Sequence, residues 1–226
     1  MRDKIILTLG VLGTLLMAWN LNTIANLPDD ALQGYIFRII FIHVPAAIAS
    51  QVFFTVSLGA CLMFLWKKNF FWDSLAVSCI EVGTMLVLIN LVTGSIWGHI
   101  IWGIWWAWDL RMTSQLLCFL LYLGYILVRP AIAEPTQRAT MSSIIGIFAY
   151  ADIPLVDMAI RMPNVRTQHP QPVLETGQLD PIYRAPFAIG IVVLVLIGTA
   201  LVLVRLNQEH ARREIDSLRR ELHAAA

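Results

Sequence analysis

The chain alternates between long apolar runs and short connections that are polar, proline-containing or tryptophan-rich. A helix needs about 20 consecutive apolar residues to cross the roughly 30 Å apolar core of a bilayer. Six runs approach that length. The pattern predicts an all-α integral membrane protein, a bundle of six transmembrane helices. The predicted spans are 5–27, 44–66, 74–96, 113–128, 140–159 and 186–204.

Composition agrees with this pattern. Hydrophobic residues make up 58% of the chain, charged residues only 14%, and the mean hydropathy is +0.70. Because a soluble domain carries about 25% charged residues, the chain is not an ordinary soluble protein. The N-terminal run is too long for a signal peptide and lacks a small-residue cleavage site, so we predict that it remains as the first span.

The sequence contains no motif for several common kinds of enzyme or nucleotide chemistry. There is no Walker sequence, so any use of ATP is expected to belong to another subunit. Neither a Ser-His-Asp pattern nor HExxH is present, which favours a protein that is not itself an enzyme, and we expect no nucleic-acid partner. The cysteines lie outside CxxC and CxxCH sequences, and we predict that they are small buried hydrophobic residues: Cys61, Cys79 and Cys118.

The placement of Lys and Arg predicts the orientation in the membrane. Cytoplasmic loops are enriched in these residues. With both termini inside, eleven of the 16 lie on the inner side and five on the outer side. This bias favours an N-in, C-in bundle. His43, the tryptophan-rich stretch and His169 then share the outer face.

Residues 205–226 differ in character from the membrane domain at 1–204. Apolar side chains recur there at roughly helical spacing among Arg and Glu, as in an amphipathic helix. We predict a cytoplasmic helix, which either docks on a partner or only extends the last span into solvent. Its apolar positions are Leu206, Ile215, Leu218 and Leu222.

Five of the eight tryptophans lie within the predicted outer loop at about 97–113. A single Trp near a span is typical of the interfacial aromatic belt. Five in one loop instead indicate a flat apolar face for a planar ligand, and we predict that the ligand is haem. Asp109 and Thr113 at the end of the loop either cap the fourth span or shape the pocket. The predicted platform contains Trp97, Trp102, Trp105, Trp106 and Trp108.

Two histidines are candidate axial ligands of the haem iron. His43 lies at the mouth of the second span. His169 lies in a long, proline-rich outer loop on the same predicted face. His99, within the tryptophan-rich stretch, is the alternative ligand. His210 and His223 lie in the inner tail, where we expect contact with solvent.

Charged side chains add a second set of candidates. Haem carries two propionates, and guanidinium groups bind carboxylates through a planar set of donors. Arg38 and Arg111 are the candidate propionate ligands, because each lies close to a predicted haem contact. Three carboxylates fall inside predicted spans, where an ionised group is costly unless it is paired or functional. They are Asp152, Asp157 and Glu81, the last with no cationic partner in its own span.

Together these motifs resemble the tryptophan-rich WWD family of haem-handling proteins in cytochrome c biogenesis. Within that group the chain is most similar to the cytochrome c maturation protein C branch, whose members are haem exporters or haem-delivery subunits with six spans. Larger members usually continue the signature as WDP and an acidic residue, whereas Leu110 and Arg111 follow Asp109 here. The resemblance extends to about residue 204. It rests on WGIWWAWDLRMT at 102–113, TGSIWG at 93–98 and FIHVP at 41–45.

The resemblance implies a multi-pass protein of the bacterial inner membrane that holds b-type, non-covalently bound haem on the periplasmic face. His43 and His169 match the two axial histidines. Haem would pass to a membrane-anchored haem chaperone, which binds it covalently through its own histidine. Other implied partners are the membrane and ATPase subunits of an ABC transporter, a small single-span membrane protein and the lipid bilayer. The matching platform residues are Trp102, Trp105, Trp106, Trp108 and Asp109.

Two other classes of function stay open at this point. A b-type electron-transfer cytochrome needs histidine pairs within its spans, often in both leaflets, whereas the candidate histidines here lie at the outer edge. A small-molecule permease would have broken helices that meet polar groups near the membrane midplane. Asp152 together with Pro154 is the only hint of such a feature in the sequence.

Overall fold

The computed structural model of the chain describes residues 2–159 and 179–225. Within these ranges the regular structure is helical, and no β-strand is present. His169 lies outside them. The helices are α1 (Arg2–Ala25), α2 (Ile40–Lys67), α3 (Phe70–Trp102), α4 (Leu110–Val128), α5 (Pro135–Tyr150), α6 (Asp152–Ala159) and α7 (Pro181–Ala225), with short 3-10 helices at Tyr35–Ile39 and Arg129–Ala131.

Six helical segments in the described part of the chain are long and apolar enough to cross a membrane. This confirms the predicted all-α membrane bundle. α3 lies at the centre, with 61% of its most apolar window buried, whereas α1 lies at the edge, with 11% buried. Apolar side chains exposed on α1 are what a lipid-facing helix requires, because the bilayer core offers no water.

The core lies between α2, α3, α4 and α6. Phe54 stacks on Tyr122 with ring centroids 3.8 Å apart, in a cluster that also contains Ile80 and Ile153. Gly83 permits this packing, since a Cβ there would lie 2.6 Å from the Phe54 ring. Small residues at such contacts let membrane helices approach closely.

α3 extends further than predicted, to Trp102 rather than residue 96. The apolar run continues without a helix-ending residue as far as Gly103. Gly103 adopts a φ of 73°, the left-handed conformation common after a helix, and its N–H donates to the His99 carbonyl at 3.0 Å. The tryptophan-rich loop is therefore only 103–109, and Trp97 and Trp102, both predicted in the loop, belong to the helix.

α4 begins at Leu110 instead of residue 113. The cause is a cap: Asp109 Oδ1 accepts a hydrogen bond from the backbone N–H of Met112 at 2.8 Å. Such a contact satisfies one of the free N–H groups at a helix start. Of the two roles that the sequence left open for Asp109, the structure thus shows capping.

The fifth predicted span consists of two helices, α5 and α6, which meet at Ala151. Pro154 accounts for the break, because proline lacks an N–H and its ring crowds the carbonyl four residues earlier. Asp152 follows the break and is buried, and neither of its carboxylate oxygens has a hydrogen-bond partner in the described residues. Asp157 accepts a hydrogen bond from Gln51 Nε2 at 2.9 Å.

The last span and the predicted tail form one helix, α7, which passes residues 204 and 205 without a break. At 1.5 Å per residue, its 45 residues extend about 67 Å, roughly twice the thickness of the bilayer core. Arg205 of α7 pairs with Glu81 of α3, with Nη2 and Oε1 2.8 Å apart. The cation that Glu81 lacks in its own span therefore comes from another helix.

Asp73, at the start of α3, is fully buried and accepts hydrogen bonds from two arginines. Arg129, after α4, donates through both Nη atoms, at 2.8 and 2.5 Å. Arg213 of α7 donates to the same carboxylate and, through Nε, to Ser74 Oγ at 3.0 Å. These ion pairs join three parts of the bundle at the end opposite the tryptophan-rich loop.

Candidate functional site

A cavity lies at the end of the bundle that carries the tryptophan-rich loop. It is formed by the first turns of α2, the last part of α3 and the first turns of α4. Its polar lining comes from Gln33, His43, Asn90, Arg111 and Gln115, and its aromatic lining from Trp97, Trp102 and Trp106.

His43 forms part of the cavity wall, and only 8% of its surface is exposed. It lies in the first turn of α2. Its Nδ1 is 3.0 Å from the Asn90 carbonyl oxygen and 3.1 Å from Thr93 Oγ1, both on α3. Gly94 lies directly against the ring, since a Cβ there would be 2.8 Å from His43 Cε1. α3 therefore holds this imidazole in place.

Trp97 is a rigid part of the same wall. It lies one turn beyond Gly94 on α3 and is 8% exposed. Its indole N–H donates to Gln33 Oε1 at 2.7 Å. Its ring meets the His43 ring edge-on, with centroids 5.7 Å apart and planes at 81°. A hydrogen bond at one end and an aromatic contact at the other thus fix the indole beside the imidazole.

The other four tryptophans of the predicted platform divide into two pairs. Trp102 and Trp106 line the cavity. Trp106 Nε1 is buried and has no hydrogen-bond acceptor among the described residues, so an indole donor is still available there. Trp105 and Trp108 do not line the cavity: Trp105 stacks on His99 with centroids 4.0 Å apart, and Trp108 is 79% exposed.

The two candidate arginines have different surroundings. Arg111, in the first turn of α4, lines the cavity. Arg38 does not line it. The Arg38 guanidinium donates to the carbonyls of Ile24 and Leu27 and pairs with Asp29 at 2.5 Å. Arg38 therefore ties together the connection between α1 and α2, while Arg111 supplies positive charge to the cavity.

The structure brings His43 to the cavity but not His99, whose ring is covered by Trp105. The position of His169 is not described. Within residues 2–159 and 179–225, no group of three or more His, Cys, Asp or Glu side chains could hold a metal ion.

Sequence reasoning missed the residues that position the cavity wall. Asn90, a polar residue inside an apolar span, and Gly94, a glycine inside a helix, were signals that pointed to a special role. Gln33 offered no such signal, because its partner Trp97 is 64 residues away in sequence. Thr93 and Gly94 also begin the TGSIWG motif at 93–98, which supported the family resemblance but was given no role in the site.

The described part of the cavity fits haem. Apolar and aromatic walls suit a planar macrocycle. A buried imidazole suits the axial position of haem iron. A guanidinium group and an unpartnered indole N–H suit propionate oxygens. The fit rests on the donor set and on the aromatic lining of the cavity.

Comparison with known proteins gives a consistent result. The sequence model of one family, described as "Heme exporter protein C", matches residues 1–221, which include all six spans and the cavity. The protein of that name from Paracoccus denitrificans (strain Pd 1222) is 32% identical over 194 residues, which are 84% of this chain and 80% of the relative.

Two further relatives have the same printed name. The protein from Bradyrhizobium diazoefficiens is 31% identical over 212 residues, 93% of this chain and 80% of the relative. The protein from Escherichia coli (strain K12) is 32% identical over 182 residues, 80% of this chain and 73% of the relative.

Proposed function

The chain belongs to the heme exporter protein C family, and from this premise we propose that it binds haem in the cavity and presents it for cytochrome c maturation. Haem is then cargo that the protein holds and passes on. The observation that carries the proposal is the placement of His43, which is buried beside Trp97 on the wall of a cavity that Arg111 also lines.

His43 is the proposed axial ligand from the described part of the chain. Haem of the b type is held non-covalently, through axial nitrogens and contacts with the macrocycle. Trp97, Trp102 and Trp106 are the proposed walls against that macrocycle. The outer edge of the platform, where haem would pass to its acceptor, is formed by Trp105, Trp108 and Asp109.

The two propionates lie at the polar edge of haem and need hydrogen-bond donors there. Arg111 and the Trp106 indole N–H are the proposed donors. For Arg38 we propose an indirect role, because its guanidinium is already bonded to the connection between α1 and α2. That connection leads into the first turn of α2, from which His43 projects.

His169 is the proposed second axial ligand. The assignment rests on the family resemblance and on its place in the connection between α6 and α7. α7 begins at the cavity end of the bundle, where Tyr183 Oη donates to the Pro28 carbonyl at 3.2 Å.

The cavity end of the bundle is proposed to face the periplasm, with the protein in the inner membrane. The opposite end carries Lys67, Lys68, Arg129 and Arg213, as expected of a cytoplasmic face. The proposed acceptor is a haem chaperone whose own histidine bonds to a vinyl group of the bound haem, while this protein supplies orientation. The membrane and ATPase subunits of an ABC transporter and a small single-span protein complete the proposed complex.

The test uses the purified protein in detergent, loaded with haem and followed by visible absorption spectroscopy. We expect wild type to give the Soret band of histidine-ligated haem. His43→Ala is expected to shift or abolish this band, and His169→Ala to shift it. His210→Ala is the matched control, because His210 lies on α7 near Phe71, at the other end of the bundle.

Each outcome bears on a different part of the proposal. An unchanged band in His43→Ala would remove His43 as a ligand. A change in His43→Ala but not in His169→Ala would leave the second ligand to be found, with His99 the first to test. No haem bound to wild type, with or without the chaperone, would overturn the proposed function.

One observation favours a second candidate function, a small-molecule permease. The fifth span breaks at Ala151, and the buried Asp152 beside the break lacks hydrogen-bond partners in the described residues. Transporters commonly place substrate sites at such breaks. Saturable binding of a small polar solute by haem-free protein, lost in Asp152→Asn, would favour it.

A further inference from the structure

Besides Trp97, three residues of α3 contact the imidazole at the cavity wall. They are Asn90, Thr93 and Gly94, and we call them the His43 slot. We propose that the slot holds His43 with its proton on Nδ1 and so makes Nε2 the nitrogen that binds iron, with Thr93 as a positioning residue. This inference rests on the proposed function, but it assigns roles to residues that do not themselves ligate haem.

The first step concerns the position of the proton. His43 Nδ1 lies 3.0 Å from the carbonyl oxygen of Asn90. A carbonyl oxygen only accepts hydrogen bonds, so a nitrogen at this distance must donate. In a neutral imidazole only one nitrogen carries the proton. The lone pair that a metal needs is therefore on Nε2.

Thr93 supports the same arrangement. Its Oγ1 lies 3.1 Å from His43 Nδ1. Its hydroxyl has one proton to donate, and the closest acceptor is the carbonyl of Ile89 at 2.7 Å, one turn back on α3. The Thr93 oxygen therefore faces the ring as a second acceptor for the Nδ1 proton.

The Asn90 side chain is the competing contact. Its amide nitrogen lies 3.2 Å from Nδ1 and 3.4 Å from Nε2. The shortest contact of that nitrogen, at 3.0 Å, is with the backbone carbonyl of His43. We therefore assign the amide hydrogen bond to the backbone. This bond joins α3 to the first turn of α2 and fixes the point from which the imidazole projects.

Gly94 completes the slot. A Cβ at this position would lie 2.8 Å from His43 Cε1 and 3.3 Å from Nδ1. The ring therefore packs directly on the backbone of α3, which is what allows Nδ1 to reach a backbone carbonyl. Metal-ligating histidines commonly donate their second N–H to such a carbonyl, which sets the tautomer and increases the basicity of the ligating nitrogen.

The experiment combines two readouts on the full-length protein in detergent. Nitrogen NMR of haem-free protein labelled with ¹⁵N-histidine distinguishes the tautomers, and the His43 signal is assigned by its loss in His43→Ala. Haem titration gives the affinity. We compare wild type with Thr93→Val, which keeps the side-chain shape without the hydroxyl, and with Thr93→Ser, which keeps the hydroxyl.

We expect wild-type His43 to carry its proton on Nδ1. Thr93→Val should shift the Nδ1 resonance and weaken haem binding about tenfold, as the loss of such an outer contact usually does. Thr93→Ser should restore both values towards wild type. A merely structural role for Thr93 would not produce this rescue by the hydroxyl together with a change at Nδ1.

Two results would overturn the inference. One is a wild-type His43 with its proton on Nε2, whatever the haem affinity. The other is a Thr93→Val protein with the wild-type resonance and the wild-type affinity. Haem binding that is unaffected in His43→Ala would instead count against the proposed function, so the two failures can be told apart.

Discussion

At the scale of single residues, the absence of a side chain is as important as the presence of one. His43 can approach the backbone of α3 because position 94 is glycine, and the approach is close enough that a methyl group would overlap the ring. Glycine normally destabilises a helix interior relative to alanine. Its presence here is therefore explained by the imidazole that it accommodates.

Gly94→Ala is expected to weaken haem binding about tenfold, because overpacking typically costs about 1–3 kcal/mol and about 1.4 kcal/mol corresponds to a factor of ten. The displaced ring would no longer present its nitrogen at the cavity wall. The measurement is a haem titration followed by Soret absorbance. Gly124→Ala on α4 is the matched control, since a Cβ there meets nothing within 4 Å. Equal affinities for the two variants would contradict the packing argument.

At the scale of elements, the helix ends decide which charged side chains reach the cavity. The cap at Asp109 starts α4 early, so Arg111 lies in its first turn and lines the cavity. Arg38 lies in the 3-10 helix before α2 and is bonded to carbonyls at the end of α1 and just beyond it. Two arginines that look equivalent in the sequence therefore have different tasks.

Arg111→Gln and Arg38→Gln remove the same charge and should have different effects. Arg111→Gln is expected to weaken haem binding about 10- to 100-fold, because hydrogen bonds to charged groups contribute about 1.5–3 kcal/mol. Arg38→Gln should mainly lower the melting temperature, since it removes donors from the carbonyls of Ile24 and Leu27. Haem titration and thermal unfolding of the haem-free protein distinguish the two. Weaker binding in Arg38→Gln at an unchanged melting temperature would identify Arg38 as a direct haem contact.

At the scale of the whole molecule, buried ion pairs hold the end of the bundle opposite the cavity. Asp73 accepts from Arg129 and Arg213, and so links α3 both to the end of α4 and to the extension of α7. Glu81 and Arg205 form a second link between α3 and α7. α3 thus runs from this ion-pair network at one end to the His43 slot at the other.

Asp73→Asn is expected to destabilise the protein by about 3–5 kcal/mol, because it leaves two arginines beside a site that no longer carries a negative charge. The readout is the melting temperature in detergent. Glu81→Gln is the comparison. A smaller loss is expected because both side chains of that pair are partly exposed to solvent, Arg205 at 32% and Glu81 at 27%. Haem affinity at temperatures below unfolding should stay at the wild-type value. A wild-type melting temperature in Asp73→Asn would contradict the structural role of the network.

The fold was largely predictable, and the cavity was predictable only in part. Each span is marked by its own run of apolar residues, so the count of six needed no knowledge of contacts. The helix ends were harder to predict from the sequence, because the end of α3 at Gly103 and the cap at Asp109 depend on local geometry that hydropathy does not report. Pro154 did mark the break in the fifth span, but the two helices on either side of it were predicted as one.

Sequence alone was sufficient for the membrane class, the all-α fold and the family, because hydropathy and short motifs are properties of neighbouring residues. Three-dimensional contacts were needed to distinguish the role of Arg111 from that of Arg38 and to find the ion pair between Glu81 and Arg205. These contacts join residues that are far apart in the chain. The same holds for His43, whose contacts on α3 lie 47 and 50 residues away. Hydrophobicity brings the helices together, and their packing then places each polar group beside its partner.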